Sequence, residues 1–438
     1  MCYGEAIERS TNLKETIIKK ISYRTIFDSR GVETLEVDVE TQNGFGRVAA
    51  PFGAPGSRGE FEAPAYSPDG IAGSIAILKK SVIPQLVGSD AAERQRIDQL
   101  LRDADGTPNF ERMGGNTSTV ISVACATAAA NALDLPLFKF IEPKANYTLP
   151  YPLGNVIGGG AHSLGPAPDM QEHLVVAQGL KSVKQGVRLN LLVHEEVGKL
   201  LEKKDPGFAG GTDDENSWTA NLNDFQAFEV LEEACKKISD QQGVELRIGL
   251  DLAADRLWDP KAKVYRYTRE GKNRTSQEQL DYLTSLVERF RMMWVEDGFH
   301  SNDYEAFAAL NQRVGSKCLV CADDIYATNT KRTEAGIKLK AAGAMIIKTN
   351  QVGTITGAET TTRLAQKHGV SPVLSHRSGE TVDDSIAHFA IAWNALMIKT
   401  GVKGGERLSK LNALMRAEEE FGIKLVQWPN LAKSAAGR

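Results

Sequence analysis

Short apolar runs in the second half of this 438-residue chain end in charged or imidazole side chains. Apolar runs of about four to eight residues are typical of buried strands. The carboxyl ends of successive parallel strands meet at one end of a barrel, so we expect these side chains to share a site. They are Asp251, Glu296, Asp323, Lys348, His376 and Lys399.

These side-chain types favour one kind of chemistry. Three carboxylates supply the hard oxygen ligands that magnesium prefers, and no cluster of histidines or cysteines favours a softer metal. A lysine that faces a divalent cation and a second lysine should have a lowered pKa, as a general base near neutral pH requires. A metal on the substrate carboxylate would stabilise the enolate formed by loss of the neighbouring proton. The residues predict magnesium-assisted proton abstraction by a lysine.

Amphipathic segments separate the apolar runs. Residues 277–290 and 331–342 have helical periodicity, and repeated strand–helix units of this length predict a parallel barrel. A proline-rich stretch at 149–152 marks the start of this region.

The first 150 residues predict an α+β domain with its antiparallel strands first. Residues 21–41 alternate as a pair of strands would, and Asn43-Gly44 has the composition of a hairpin turn. The segments with helical character are 71–86, 91–101 and 117–133.

Five segments closely resemble signature segments of the enolase family. They are FDSRG at 27–31, IKTNQVGT at 347–354, VLSHRSGET at 373–381, IKTG at 398–401 and ERLSKLN at 406–412. They occur in the family's order, and the similarity covers about residues 20–425. Lysine bases with magnesium are characteristic of enolase-superfamily sites, so the chemistry and the resemblance are not independent arguments.

The resemblance implies a TIM-like α/β barrel of the enolase type with an N-terminal α+β capping domain. We assign residues 20–150 to the capping domain and 151–428 to the barrel with the catalytic site. Residues 1–19 are then an N-terminal extension and 429–438 a C-terminal tail.

The resemblance also implies a role for each matched residue. Lys348 would take the C2 proton, Glu215 would help the C3 hydroxyl to leave, and Glu172 would support Glu215. Lys399 would hold the substrate carboxylate, and His376 is a second active-site histidine. The magnesium ligands would be Asp251, Glu296 and Asp323, and the other substrate contacts Arg377, Ser378, Gln171 and His162.

The reaction implied is the dehydration of 2-phosphoglycerate to phosphoenolpyruvate through an enolate. Two magnesium ions per site are implied, the second bound with the help of the substrate. A homodimer or higher homo-oligomer is expected as well.

Several substrate-covering loops depart from the family pattern. The first lid, at 52–59, is about two residues longer, with Pro55 or Ser57 nearest the serine that helps to hold the second magnesium. The family's Gly-Gly after the acid is Asn216-Ser217, followed by the bulky Trp218. Such loops exclude water and select the substrate.

Two alternatives follow. A paralogue could act on a related phosphorylated or phosphono 2-hydroxy acid, for example to form a carboxyphosphonoenolpyruvate. A non-catalytic enolase-like protein should have lost at least one of four residues that are all present, Glu172, Glu215, Lys348 and Lys399.

The composition is that of an ordinary globular protein, with 42% hydrophobic and 25% charged residues. A net charge of −4 gives no general reason to expect nucleic acid or an anionic membrane as a partner. No window approaches the roughly 18 apolar residues of a membrane span, and residues 1–20 lack the apolar run of a signal peptide. We therefore expect a cytoplasmic protein.

The five cysteines do not indicate a disulfide framework, and Cys318 and Cys321 are expected to be structural thiols on opposite faces of a strand.

Overall fold

A computed structural model describes residues 15–53 and 61–431 of the chain. Most of the first lid, including Pro55 and Ser57, lies outside the described residues, as does most of the predicted N-terminal extension and of the C-terminal tail. The division into domains at residue 150 stays a prediction.

The N-terminal region is a three-stranded antiparallel sheet covered by helices. Its strands are β1 (Lys20–Phe27), β2 (Glu33–Glu40) and β3 (Phe45–Ala49), paired in that order. Its helices are α1 (Gly70–Ile77), α2 (Ile83–Leu86), α3 (Arg94–Asp105), α4 (Gly115–Ala132) and α5 (Leu137–Ile141). The predicted strand pair is present, and the turn at Asn43-Gly44 connects β2 to a third strand.

Small side chains let this sheet pack closely on α4. Leu35, Val37 and Val39 of β2 are fully buried, and α4 contacts both β2 and β3. A Cβ at Gly46 would lie 2.2 Å from the carbonyl oxygen of Ala124 in α4, so only glycine fits there.

The predicted helix at 71–86 is present but interrupted. A π-helical turn, Leu78–Val82, separates α1 from α2. Pro84 has no N–H to donate to the preceding turn, which explains why regular α-helical hydrogen bonding fails there.

The described part of the chain from residue 148 onward contains thirteen further strands. They are β4 (Thr148–Leu149), β5 (Tyr151–Gly158), β6 (Glu172–Ala177), β7 (Leu246–Asp251), β8 (Trp258–Asp259), β9 (Val264–Tyr267), β10 (Lys272–Arg274), β11 (Trp294–Glu296), β12 (Leu319–Ala322), β13 (Ala344–Ile347), β14 (Ser371–Ser375), β15 (Met397–Lys399) and β16 (Lys424–Leu425). Eight of these, β5–β7 and β11–β15, form a closed barrel. The small strands β8–β10 form a separate antiparallel sheet, and β16 pairs with β4.

Helices surround the barrel. They are α6 (Val183–Lys204), α7 (Asp224–Gln242), α8 (Ser276–Phe290), α9 (Tyr304–Val314), α10 (Thr330–Leu339), α11 (Thr349–Val352), α12 (Ile355–Lys367), α13 (Ser385–Ala392) and α14 (Gly405–Phe421). Thr275 caps α8 in a capping box with Glu278, in agreement with the predicted helix. The predicted helix at 331–342 ends earlier, at Leu339, because Lys340 adopts a left-handed conformation. None of the described helices is long and apolar enough to cross a membrane.

One barrel strand corrects the sequence-based prediction of an all-parallel barrel. β6 is antiparallel to both β5 and β7, whereas the other neighbouring strands are parallel. Glu172 therefore starts its strand at the same end of the barrel where Asp251 ends β7, and the two residues are paired in register.

The barrel has separate inner and outer apolar clusters. Cys321 belongs to the inner cluster with Trp294 and Met397, and Cys318 belongs to the outer cluster. Both cysteines are free and buried, and burial raises the pKa of each thiol. The expectation of two structural thiols on opposite faces agrees with this arrangement.

Candidate active site

Lys399 lies at the centre of an acidic group at the carboxyl end of the barrel. Its buried ammonium donates hydrogen bonds to Asp251 Oδ2 at 2.7 Å and Glu296 Oε1 at 2.9 Å. Glu172 Oε1 lies 3.2 Å from the same nitrogen. The carboxylates come from β7, β11 and β6, so the predicted convergence of strand ends is present.

Burial and repulsion make the charges in this group interdependent. Burial and the neighbouring Asp251 raise the pKa of Glu296 to about 8. Burial also raises the pKa of Glu172 well above its usual range, although Lys399 acts in the opposite direction. For Lys399 burial lowers the pKa, but the carboxylates outweigh it and the net direction is upward. Further positive charge is needed before all of these carboxylates can ionise.

Lys348 forms a direct ion pair beside this group. It follows β13, and its Nζ lies 2.5 Å from Asp323 Oδ2. Burial lowers the pKa of Lys348, but Asp323 raises it, and the net direction is upward. The predicted lowered pKa concerns a lysine that faces a bound cation and stays a prediction; in this arrangement the carboxylate of Asp323 outweighs the effects of burial and of Arg377.

The three predicted metal ligands fit magnesium in their chemistry. Asp251, Glu296 and Asp323 offer only oxygen donors, and all three are buried. Within the described ranges no group donates a hydrogen bond to the buried Asp323 Oδ1. A buried carboxylate oxygen without a donor is costly unless a cation satisfies it, so these residues fit the implied ion.

Two neighbouring aspartates were missed by the sequence analysis. Oxygens of Asp297, Asp323 and Asp324 lie within 4.8 Å of one another. Asp297 also accepts the backbone N–H groups of Asp323 at 3.0 Å and Asp324 at 2.8 Å. Burial and the neighbouring carboxylates raise the pKa of Asp297 well above its usual range. The only sequence signal was that each aspartate directly follows a predicted ligand.

Glu215 forms a second group with two histidines. Its Oε2 accepts a hydrogen bond from Asn155 at 3.2 Å and lies 3.4 Å from His376 Nε2. Its Oε1 lies 3.9 Å from His162 Nδ1. Donor atoms of His162, Glu172 and Glu215 all lie within 4.8 Å of one another, so Glu172 connects this group to Lys399.

The charges of this second group differ from those around the lysines. Burial lowers the pKa of His162, but Glu215 and Asp214 raise it to about 10, so its imidazole is protonated at neutral pH. His162 Nδ1 lies 2.5 Å from Asp214 Oδ1. Burial raises the pKa of Glu215, whereas His376 and His162 lower it, and the net direction is downward.

Arg377 is held by groups from two parts of the chain. It is buried, and its guanidinium donates to Asn350 Oδ1 at 2.9 Å and to Glu62 Oε2 at 3.1 Å. Glu62 also accepts a hydrogen bond from Gln351 at 2.7 Å. The sequence analysis missed Glu62, which follows the first lid and has no apolar pattern around it that marks a site.

A cavity of about 50 Å³ lies among these groups, with room for a few water molecules. Ten of the predicted site residues line it, namely His162, Gln171, Glu215, Asp251, Asp323, Lys348, His376, Arg377, Ser378 and Lys399. Glu172 and Glu296 both contact Lys399, which lines the cavity. We call Asp251, Glu296, Asp323, Lys348 and Lys399 the lysine side, and His162, Glu215 and His376 the acid side.

The bulky Trp218 does not fill this cavity. Its indole N–H donates to the carbonyl oxygen of His194 at 2.7 Å, and its ring packs near Gly198 and Phe208 behind the acid loop. The side-chain amide of Asn216 donates a hydrogen bond to Glu406 Oε1 at 2.8 Å. The substitutions after the acid therefore change the support of the loop more than the lining of the cavity.

Comparison with known proteins agrees with this geometry. The family model described as "Enolase, N-terminal domain" matches residues 18–141, and "Enolase, C-terminal TIM barrel domain" matches residues 146–430. The enolase of Methanothermobacter thermautotrophicus is 45% identical over 407 residues, which cover 93% of this chain and 97% of the relative.

Two further relatives give the same result. The enolase of Archaeoglobus fulgidus is 42% identical over 92% of this chain and 97% of its own length. That of Thermoplasma acidophilum is 40% identical over 92% of this chain and 99% of its own. With a closed barrel, lysines and carboxylates at its mouth and this extent of similarity, the chain belongs to the enolase family.

Proposed function

We propose that this protein is a hydro-lyase that converts 2-phosphoglycerate to phosphoenolpyruvate with magnesium. The single observation that carries the proposal is the cavity where Lys348 and Lys399 face the same space as Glu215 and His162. A base and an acid on two sides of one cavity are what removal of a proton and a hydroxyl from adjacent carbons requires. The relatives named as enolases support the same reaction.

In this proposal Lys348 Nζ takes the proton from C2 of the substrate. The amine has to be neutral for that step, so the proton it shares with Asp323 has to leave first. Lys399 holds the substrate carboxylate next to C2, where its ammonium offsets the charge that develops as the enolate forms. The side chain of Lys399 is buried and that of Lys348 is only 13% exposed, which strengthens these interactions.

Asp251, Glu296 and Asp323 would hold the first magnesium ion. When bound, magnesium would offset the charge of these carboxylates, including the one beside Lys348, and that of the substrate carboxylate. A second ion, bound with the help of the substrate, is part of the proposal. Its protein ligands from residues 52–59 lie mostly outside the described residues.

Glu215 would donate a proton to the departing C3 hydroxyl. His162 is protonated and lies 3.9 Å from Glu215 Oε1, so its charge favours the carboxylate that remains after Glu215 has given up its proton. Glu172, whose raised pKa favours its own protonated form, supports the same transfer. The elimination then proceeds in two proton transfers, one from C2 to Lys348 and one from Glu215 to the C3 hydroxyl, so the proton and the hydroxyl do not have to leave at the same time.

Arg377 and Ser378 would bind the phosphate, and His162 and Gln171 line the same cavity. A guanidinium suits phosphate because it offers parallel N–H donors. Glu62 and Asn350 orient the guanidinium and leave its remaining donors for the substrate.

The remaining parts of the proposal concern the protein in the cell. We propose a cytoplasmic enzyme of glycolysis that acts on a small phosphorylated hydroxy acid and has no nucleic-acid or membrane partner. We propose a homodimer or higher homo-oligomer as its state in solution.

The test is turnover of two substrates by the purified full chain with saturating magnesium. Formation of phosphoenolpyruvate from 2-phosphoglycerate, followed by the absorbance of its double bond, supports the proposal. A folded protein that leaves 2-phosphoglycerate unchanged overturns it. Greater kcat/KM for a phosphono 2-hydroxy acid would favour the paralogue instead.

A further inference from the structure

Arg407 is a buried cation behind the acid side that the predicted site did not include. It lies in the first turn of α14 and its side chain has no exposed surface. Its Nη1 lies 2.7 Å from His376 Nδ1 and donates to the carbonyl oxygen of Arg377 at 2.7 Å. Its Nη2 donates to the carbonyl oxygens of Asp214 at 2.9 Å and Ser378 at 2.6 Å.

These contacts join two loops that come from distant parts of the chain. Asp214 precedes the acid Glu215, whereas His376, Arg377 and Ser378 follow β14. One planar guanidinium thus fixes the acid loop against the segment that is proposed to bind phosphate. Its geometry is set by four contacts with backbone and ring atoms.

The contact with His376 determines where the imidazole proton lies. A guanidinium has only donors, so Nδ1 of the ring has to be the acceptor. Burial lowers the pKa of His376, and Arg407 acts in the same direction while Glu215 opposes them, which leaves a neutral ring at neutral pH. The single ring proton is then on Nε2, which lies 3.4 Å from Glu215 Oε2.

We propose that Arg407 is a positioning residue that holds His376 as the Nε2–H tautomer, which places the ring proton on the nitrogen nearer Glu215. Oε2 of Glu215 then accepts a hydrogen bond from Asn155 and lies 3.4 Å from the protonated nitrogen of the His376 ring. Oε1, on the side of His162, is left as the oxygen that carries the acid's proton. The role given to Oε1 rests on the proposed function, whereas the tautomer of His376 does not.

A purely structural Arg407 would only cross-link the carbonyl groups. Its loss would then disturb the whole cavity and slow both half-reactions to a similar extent. If Arg407 instead positions the acid side, its removal should slow the loss of the hydroxyl far more than the removal of the C2 proton. The tautomer of His376 and the ratio of the two rates separate these roles.

The first experiment observes the ring directly. Full-length protein labelled with ¹⁵N-histidine is studied by NMR with magnesium, and His376 is assigned from the signal lost in His376→Gln. We expect a proton on Nε2 and none on Nδ1. A proton on Nδ1 overturns the proposal, whether or not the protein turns over 2-phosphoglycerate.

The second experiment compares Arg407→Met with Arg407→Lys, after circular dichroism has shown that each is folded. For Arg407→Met we expect dehydration to fall about 10²-fold more than the exchange of the C2 proton with solvent deuterium. Arg407→Lys keeps a donor and a charge, so it should recover part of the loss. Equal falls in exchange and dehydration in a folded variant overturn the positioning role. If Arg407→Met does not fold, the same ratio in Arg407→Lys decides.

Discussion

The lysine side and the acid side of the cavity are built by different means. The lysine side consists of residues at or just beyond strand ends, and its ammonium groups contact carboxylates directly. On the acid side only His376 directly follows a strand, whereas His162 and Glu215 lie in the segments between strands, and Arg407 and Asn155 hold this side from behind. Strand ends place side chains through the register of the barrel, whereas loops need buried polar partners to hold theirs. Substitutions on the two sides should therefore have different effects on the rates of C2 proton exchange and of dehydration.

The largest effect is expected from removing the base. Lys348→Ala should lower both C2 proton exchange and dehydration by about 10⁴-fold, because the proposal assigns removal of the C2 proton to Lys348 alone. Deuterium exchange at C2, measured by proton NMR, and product absorbance give the two rates. The exposed Lys338→Ala is the matched control and should keep both. Retained exchange in folded Lys348→Ala would show that another group is the base.

Removing the acid should separate the two rates. Glu215→Gln keeps the size and the hydrogen-bond acceptor but cannot donate a carboxyl proton. Dehydration should fall about 10²- to 10³-fold while C2 exchange is largely kept, because Lys348 is untouched. The same two assays measure the effect. A parallel loss of both rates would show that the two sides do not work as separate halves.

A smaller effect is expected at the phosphate end. Arg377→Lys keeps the charge but loses the fork of donors that Asn350 and Glu62 orient. We expect kcat/KM to fall about tenfold, mainly through a higher KM, as steady-state kinetics would show. An unchanged KM with a lower kcat would contradict a role in binding the phosphate.

The smallest effect concerns the support behind the acid side. Asp224 accepts the backbone N–H of Met170 at 2.9 Å, just before Gln171 and Glu172. Burial raises its pKa from 3.8 to about 7. Because the folded pKa is the higher one, its contribution is fully present below about pH 4 and is lost as pH rises through about 7. Wild-type protein should thus lose more stability than Asp224→Asn between pH 5.5 and pH 8.5.

Urea unfolding at the two pH values measures this difference, which should be on the order of 1–3 kcal/mol. Asp240→Asn, an exposed position on the same helix, is the control and should behave as wild type. Equal pH dependence in Asp224→Asn and wild type would exclude a proton on Asp224 in the folded state.

The same contrast explains what could be predicted from the sequence. Asp251, Glu296 and Lys399 end apolar runs in the sequence. When such runs form the strands of a barrel, the register of the strands determines where each strand ends, so these residues are placed at the mouth of the barrel. The antiparallel β6 was not predicted, since a short strand contains no sign of its direction. Glu172 was assigned from the resemblance alone.

Partners from distant segments could not be predicted in the same way. Arg407 and Glu62 reach the site through tertiary packing, and no local pattern shows which carbonyl or guanidinium each will meet. The ion pair between Lys348 and Asp323 was not predicted either, because the sequence does not show that this carboxylate lies 2.5 Å from the amine.

The most direct test of the account is deuterium exchange at C2 of 2-phosphoglycerate, catalysed by the wild-type full chain with and without magnesium. We predict rapid exchange together with formation of phosphoenolpyruvate when magnesium is saturating, and loss of both when EDTA is added. Exchange that persists in EDTA, or a folded protein with saturating magnesium that neither exchanges the proton nor forms product, would contradict the account.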